Sequence, residues 1–431
     1  MSVIVVEGGR RLEGTVRVHG AKNAVLPILA ATVVGGGQYE IENCPVLSDV
    51  AATVRILEHL GCRVQREDES IFVDSSVIDK TDIPECLMRE MRSSVIFLGA
   101  ILARFGTACV AMPGGCELGP RPIDLHLAAF RQMGVTVEEK HGSIHCTCTK
   151  LRGAAVHLDF PSVGATENVM LAATLAEGST VITNAAKEPE IEDLQNFLNQ
   201  MGAKIRGAGS DTIYIDGVER LGSAAHKVMP DRIVAATYMA CSAVTGGSIE
   251  LTQVCPRHME SIISVARAYG AQLRVENDRL IHTAPQRMRA VKMIRTMPYP
   301  GFPTDAQAPL MAAMCYADGT SIFTETIFES RFKHVTELMR MGADITVEGR
   351  IAVVRGVEKM SGAHVCAMEL RGGAALVVAA LGAQGETHIG ATHFIERGYA
   401  ELVEALSSVG AKIRKDTEDE EIKKRPCSSC K

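Results

Sequence analysis

Apolar positions along this chain fall into two signatures that alternate and return at a fixed interval. The first is an amphipathic helix closed by glycine. Val50, Val54, Leu57 and Leu60 recur every three to four residues, which places them on one helix face. Ser48 or Asp49 can cap the start of that helix. It closes as Leu60-Gly61-Cys62-Arg63-Val64, and the same close returns at Met133-Gly134, Met201-Gly202, Tyr269-Gly270, Met341-Gly342 and Val409-Gly410. Glycine suits each position because it enters the left-handed region after a helix without steric cost. The second signature is a small-residue apolar helix ending at Gly37, Gly106, Gly178, Gly247, Gly319 or Gly385. A strand-like run such as Ser179-Thr180-Val181-Ile182 follows each. Both signatures repeat with a period of about 70 residues, six times.

Six strand–helix–strands–helix units divide naturally into three plus three. A chain of 431 residues exceeds what one core holds, so an α/β protein of two three-repeat domains is expected. A solenoid fits worse, because its repeats are shorter. The Ala-rich segments at Ala30-Ala31, Ala172-Ala173, Ala312-Ala313 and Ala379-Ala380 read as buried helices with sheets wrapped outside them.

Composition narrows the function. Net charge is −6, aromatics are 4% and Trp is absent, so neither a nucleic-acid partner nor a base-stacking surface is expected. The runs Ala24–Val34 and Ser94–Ala103 are too short to span a bilayer, and the first eleven residues lack a signal-peptide core, so no membrane insertion is expected. Thirteen scattered cysteines suit a reducing cytoplasm. Residues Asp416–Lys431, ending in Cys427-Ser428-Ser429-Cys430, read as a charged, disordered tail. A zinc site would need two further ligands, for which the pair Cys146/Cys148 is a poor source. Gly35-Gly36-Gly37 lacks the dinucleotide fingerprint, and no Walker A run occurs.

Three segments carry candidate chemistry. Met112–His126 packs glycines and prolines around Cys116, Arg121, Asp124 and His126, a shaped loop rather than a helix. A thiol there, near a guanidinium, can have a lowered pKa; the alternative is a tight turn with a buried thiol. Gly20-Ala21-Lys22-Asn23-Ala24 opens an apolar helix, where N–H groups and an ammonium suit a phosphate; a solvated charge is the alternative. Pro300–Asp305 fixes a carboxylate in a constrained loop, as a base or as a helix cap. Arg92, Arg232, Arg331, Arg371 and Arg397 stand singly near turns, where each alone reads as a surface charge.

Taken with Ser162-Val163-Gly164-Ala165-Thr166, Glu188-Pro189-Glu190-Ile191, Pro230-Asp231-Arg232-Ile233, Arg331-Phe332, Leu370-Arg371 and Arg397-Gly398-Tyr399, these segments resemble the enolpyruvyl transferase family. The resemblance runs from about residue 3 to residue 415. The Pro-Gly-Gly-Cys loop points to the UDP-N-acetylglucosamine 1-carboxyvinyltransferase branch rather than the shikimate 3-phosphate branch. A sister transferase with another acceptor and a non-catalytic regulatory paralogue are the competing readings.

The resemblance implies two inside-out α/β barrels that close on substrate, residues 22–229 in one domain and 1–21 plus 230–431 in the other. It implies phosphoenolpyruvate and UDP-N-acetylglucosamine as substrates, a first step of peptidoglycan synthesis, and neither cofactor nor metal; oligomeric partners stay open. Lys22, Arg121 and Arg397 resemble the phosphate-side cations, and Arg331 and Arg371 the carboxylate-side ones. Asp305 resembles the base at the sugar hydroxyl, and Cys116 the thiol that donates a proton or forms an adduct. Asn23, Arg92, Arg121, Pro122, Ile123, Asp124, Leu125, Ser162, Val163, Gly164 and Ile327 resemble substrate contacts. Phe160 stands where some members carry Lys; Phe cannot pair with a diphosphate, and a stacking or purely packing role is the alternative.

Overall fold

A computed structural model describes residues 2–112 and 123–417. Within them the chain forms two compact units, residues 20–112 with 123–229, and residues 2–19 with 230–417. It passes between them at 19–20 and at 229–230.

Each unit holds three four-stranded sheets of one pattern. An edge strand runs parallel to its neighbour, and a hairpin continues the sheet antiparallel: Ala224–Lys227 lies parallel to Gln38–Glu42, which pairs antiparallel with Ser70–Asp74 and through it with Arg63–Glu67. The N-terminal strands serve the second unit. Ser2–Glu7 lies between Glu386–Gly390 and Lys412–Thr417, taking the place that a hairpin strand fills in the other sheets, and Glu13–Arg17 is the parallel edge beside Ser248–Thr252. This register corrects the expected tail: Thr417 pairs with Ser2 and Asp416 with Val3, so the first two residues of that segment are sheet. Cys427 and Cys430 lie outside the described residues.

The small-residue helices are interior. Lys22–Gly35, Phe97–Phe105 and Val163–Ala173 are buried on nearly every side in one unit, as are Arg232–Val244, Thr304–Met314 and Leu370–Gly382 in the other. Alanine and glycine let helix axes approach closely, while each fully buried Leu, Ile or Val contributes about 1.5–3 kcal/mol. The glycine-closed helices lie outside with one face buried. In Ser48–Leu60 that face is Val50, Thr53, Ile56, Leu57 and Leu60, and Gly61 takes φ +105°. Neither Ser48 nor Asp49 caps this helix: Leu47 is the N-cap, and Asp49 lies buried in the first turn with another partner.

The two crossover segments are stitched within their own units. The Ala21 N–H donates to the Met229 carbonyl at 2.7 Å, and the Asp231 N–H to the His19 carbonyl at 2.9 Å. Gly20 is obligatory, since a Cβ there would stand 1.8 Å from the Asn43 carbonyl oxygen. Asp193 accepts the Met229 N–H at 3.1 Å and faces His226 Nε2 at 3.1 Å, a buried pair behind the second crossover.

Candidate active site

The helix Thr304–Met314 begins after Pro303, which offers no side-chain cap, so Asp305 falls in the first turn. Two guanidiniums close on its carboxylate. Arg331 Nη2 donates to Asp305 Oδ1 at 3.0 Å and to the Thr304 carbonyl at 3.1 Å. Arg371 Nε and Nη2 donate to Asp305 Oδ2 at 3.3 and 3.1 Å. The arginine side chains are 1% and 2% exposed, against 27% for Asp305. Guanidiniums this deep have lost their hydration and need carboxylates in its place.

A further carboxylate supports both arginines. Glu369 caps the helix Leu370–Gly382, accepting the N–H groups of Arg371 (2.8 Å) and Gly372, and faces Arg331 Nη1 at 3.7 Å. Burial works against the charge of Arg371, but Tyr399 and the Asp305 and Asp231 carboxylates outweigh it and hold the guanidinium above its ordinary value. The Tyr399 ring lies 5.3 Å beneath that guanidinium, and its hydroxyl meets Thr237 Oγ1 at 2.8 Å. Arg331 Nε and Arg371 Nη1 are buried without a hydrogen-bond partner among the described residues. A buried donor in that condition needs a reason, and a ligand carboxylate would supply one.

His334 packs beside this cluster: a Cβ at Gly372 would stand 2.8 Å from His334 Cβ. Burial pushes its imidazole down to about 4, with Glu369 pulling the other way and Arg331 adding to the fall. Ile327 lies half-buried on the turn after the strand Thr320–Thr324, and Arg397 is half-buried at the end of a short 3-10 segment, Thr392–Arg397.

The other unit builds its polar features on the same helix starts. Lys22 opens the helix Lys22–Gly35, and its Nζ meets Asp49 Oδ2 at 2.6 Å, with both side chains almost fully buried. Asn23, one residue on, is exposed. Ser162 caps Val163–Ala173 weakly, its hydroxyl accepting the Ala165 N–H at 3.4 Å. Phe160 is 43% exposed, and its carbonyl accepts the Ser162 N–H at 2.7 Å.

Asn168 gathers three of these segments. Its Oδ1 accepts the Gly99 N–H at 2.8 Å; its Nδ2 donates to the Val95 carbonyl at 3.0 Å and lies 2.7 Å from His126 Nδ1. Val95 belongs to the turn Arg92–Ile96, and His126 to the helix Asp124–Gln132, which Ile123 precedes. Gly164 keeps its place against His126, where a Cβ would meet Cε1 at 3.3 Å. In the same helix, next to Asn168, Glu167 is buried, and its carboxyl is held well above the ordinary range by burial, then by Glu190 and Glu188.

The structure thus joins Asp305, Arg331 and Arg371 in one cluster. It brings Ile123, Asp124 and Leu125 beside Ser162, Val163 and Gly164 through His126, and buries Lys22 on Asp49. Cys116, Arg121 and Pro122 lie outside the described residues, and Arg92 is described only as backbone. Sequence reasoning missed Asp49 as a charge partner, and also Asn168, Glu325 and Glu369. The signal for Asn168 was a polar residue inside an apolar run; the signal for Glu369 was a carboxylate directly before Leu370-Arg371.

The family described as EPSP synthase (3-phosphoshikimate 1-carboxyvinyltransferase) matches residues 6–406. UDP-N-acetylglucosamine 1-carboxyvinyltransferase 2 of Caldanaerobacter subterraneus subsp. tengcongensis is 53% identical over 96% of this chain and 99% of its own. UDP-N-acetylglucosamine 1-carboxyvinyltransferase 1 of Symbiobacterium thermophilum is 49% identical over 95% of this chain and 94% of its own. Among solved structures, the enolpyruvyl transferase NikO from Streptomyces tendae superposes with a TM-score of 0.87 at 25% identity, covering 97% of this chain and 99% of that one. An EPSP synthase from Acinetobacter baumannii shares the fold, with a TM-score of 0.71 at 18% identity over 96% of this chain and 100% of that one. Matched over nearly its whole length, the chain belongs to the enolpyruvyl transferase family, in the branch of the UDP-N-acetylglucosamine 1-carboxyvinyltransferases.

Proposed function

We propose that this protein transfers the enolpyruvyl group of phosphoenolpyruvate to the 3′-hydroxyl of UDP-N-acetylglucosamine and releases phosphate, in the cytoplasm, as the entry to peptidoglycan synthesis. The observation that carries the site assignment is Asp305 held between Arg331 and Arg371 at 3.0 and 3.1 Å. Among the described residues no helix is long and apolar enough to cross a membrane.

The chemistry is addition followed by elimination. C3 of the enolpyruvyl group gains a proton, the sugar oxygen bonds to C2, and the hydroxyl proton leaves to a base. The C2–O bond to phosphate then breaks as C3 gives its proton back. Phosphoenolpyruvate brings a carboxylate and a phosphate, so it needs cations on two sides. Arg331 and Arg371 take the carboxylate, their unpartnered Nε and Nη1 atoms being donors the protein leaves unanswered. Lys22, Arg121 and Arg397 take the phosphate.

Asp305 is the base at the 3′-hydroxyl. The substrate carboxylate competes with Asp305 for the two guanidiniums, and Asp305 accepts the hydroxyl proton as it leaves. Cys116 supplies or stores the C3 proton. Asn23, Arg92, Pro122, Ile123, Asp124, Leu125, Ser162, Val163, Gly164 and Ile327 contact the UDP sugar.

Phosphate release from phosphoenolpyruvate tests this reading. Release should require UDP-N-acetylglucosamine; release with shikimate 3-phosphate in its place would reassign the acceptor, and none with either would leave a binding protein.

A further inference from the structure

We propose that Glu325 is a positioning residue for the transfer: its buried carboxylate fastens the turn carrying Ile327 to the helix start carrying Asp305. The inference rests on the roles given above to those two residues.

The repeats of the chain supply the reference. In four of them the residue directly after the second strand of the sheet takes a left-handed conformation: Asn43 (φ 58°), Asn184 (54°), Gln253 (54°) and Ala391 (55°). Two of these side chains tie the turn to the end of the parallel edge strand. Asn43 Nδ2 donates to the Val228 carbonyl at 2.9 Å, and Asn184 Nδ2 to the Leu158 carbonyl at 2.7 Å. Glu325 occupies the same place after Thr320–Thr324, yet it is not left-handed and does not make that tie. Thr326 makes it instead: its N–H donates to Thr296 Oγ1 at 2.9 Å, and its hydroxyl to the Thr296 carbonyl at 2.5 Å. The turn is therefore anchored to its sheet without Glu325.

The Glu325 side chain, only 1% exposed, bonds elsewhere. Oε1 accepts the N–H groups of Ile327 at 2.7 Å and Phe328 at 3.1 Å. Oε2 accepts the hydroxyl of Thr304 at 2.9 Å, a residue 21 positions earlier in the chain. The Thr304 carbonyl in turn accepts Arg331 Nη2, which also holds Asp305. One carboxylate thus spans from the backbone of Ile327 to the first turn of Asp305, through neutral donors only. Burying a carboxylate is costly, and a turn with its own anchor does not need one. What the carboxylate adds is a fixed distance between a substrate-contacting turn and the base. Reactive geometry is sensitive on that scale: a misplacement on the order of 1 Å costs about 100-fold in rate.

The test uses the full chain, phosphate release, and both substrates varied. Glu325→Gln keeps the shape of the side chain, and Thr304→Val removes the hydroxyl it holds. Each should lower kcat about tenfold and raise KM for UDP-N-acetylglucosamine about threefold, with the melting temperature within a few degrees of wild type. Thr304→Ser should restore most of the rate. Because the two residues act through one contact, the double variant should be no slower than the slower single variant. Wild-type kinetics in both single variants, or losses that multiply in the double variant, would overturn the proposal. Should Glu325→Gln fold poorly, Thr304→Val decides alone: a normally melting variant with wild-type kinetics ends the inference. Asp305→Asn is run beside them. Full turnover in that variant would remove the role of Asp305 itself; loss there, with normal rates at Glu325 and Thr304, would fault only the Glu325 assignment.

Discussion

Asp305 sits between two buried guanidiniums in one unit, whereas in the other Asn168 ties three segments through an amide, an imidazole and two backbone groups. Both clusters stand on the small-residue helices of the repeat, so the scaffold is common and the chemistry differs. The first gathers charge that its surroundings only partly answer, with Arg331 Nε and Arg371 Nη1 left unpartnered. The second is built on an amide whose donor and acceptor are both answered at Asn168. A site for an anionic, reacting group needs the former; a cradle that must only keep its shape needs the latter.

If that contrast holds, the largest effect follows removal of a guanidinium. Arg371→Met leaves Asp305 short of a partner and the substrate carboxylate short of a donor. Its kcat/KM should fall about 1,000-fold in a phosphate-release assay, and Arg371→Lys should recover little, because a point charge cannot replace the bidentate fork. Next comes Lys22. Lys22→Met should cost about 100-fold in kcat/KM and also lower the melting temperature, since it removes one side of a buried ion pair with Asp49. Asp49→Asn, which removes the other side of that pair, should cost about tenfold in rate and also lower the melting temperature.

Asn168→Ala should behave differently in kind. It strands the Gly99 N–H and should destabilise the unit by about 2 kcal/mol, read as a lower melting temperature. KM for the UDP sugar should rise severalfold while kcat stays near wild type. A kcat loss as deep as that of Arg371→Met would erase the distinction drawn between the clusters.

Two further effects, of opposite sign, show only as pH changes. His334 has its folded pKa depressed to about 4, so the unfolded chain binds the proton first as pH falls. Stability is full above the ordinary histidine value near 6.5 and erodes between there and 4, by on the order of 3 kcal/mol at most. His334→Leu should flatten that acid-side loss in melting curves. Glu167 has its pKa raised, so its contribution is present at acid pH and is lost as pH rises above the ordinary carboxyl value. Glu167→Gln should remove that loss.

The repeat was legible in the sequence because glycine after a helix and apolar periodicity are local properties. Gly61 and its five counterparts needed no tertiary information. Asp416 and Thr417 were misread because charged residues on an edge strand look like tail until a partner is known, and that partner, Ser2–Glu7, lies at the far end of the chain. Asp305, Arg331 and Arg371 were legible as residues but not as a cluster, since 66 positions separate the outer two and nothing local says they meet. Asp49 was read as a cap because a carboxylate at a helix start is commonly one. Its true partner depends on how two helices pack. Glu325 carried no sequence signal, because its departure shows only against the backbone of the other repeats.

In the proposed mechanism Asp305 takes the proton of the sugar hydroxyl while the guanidiniums serve phosphoenolpyruvate. Asp305→Asn retains the size and an acceptor oxygen but cannot act as a base. Phosphate release with both substrates saturating should fall about 1,000-fold, with phosphoenolpyruvate affinity nearly unchanged by calorimetry. A turnover number within about threefold of wild type would contradict the account.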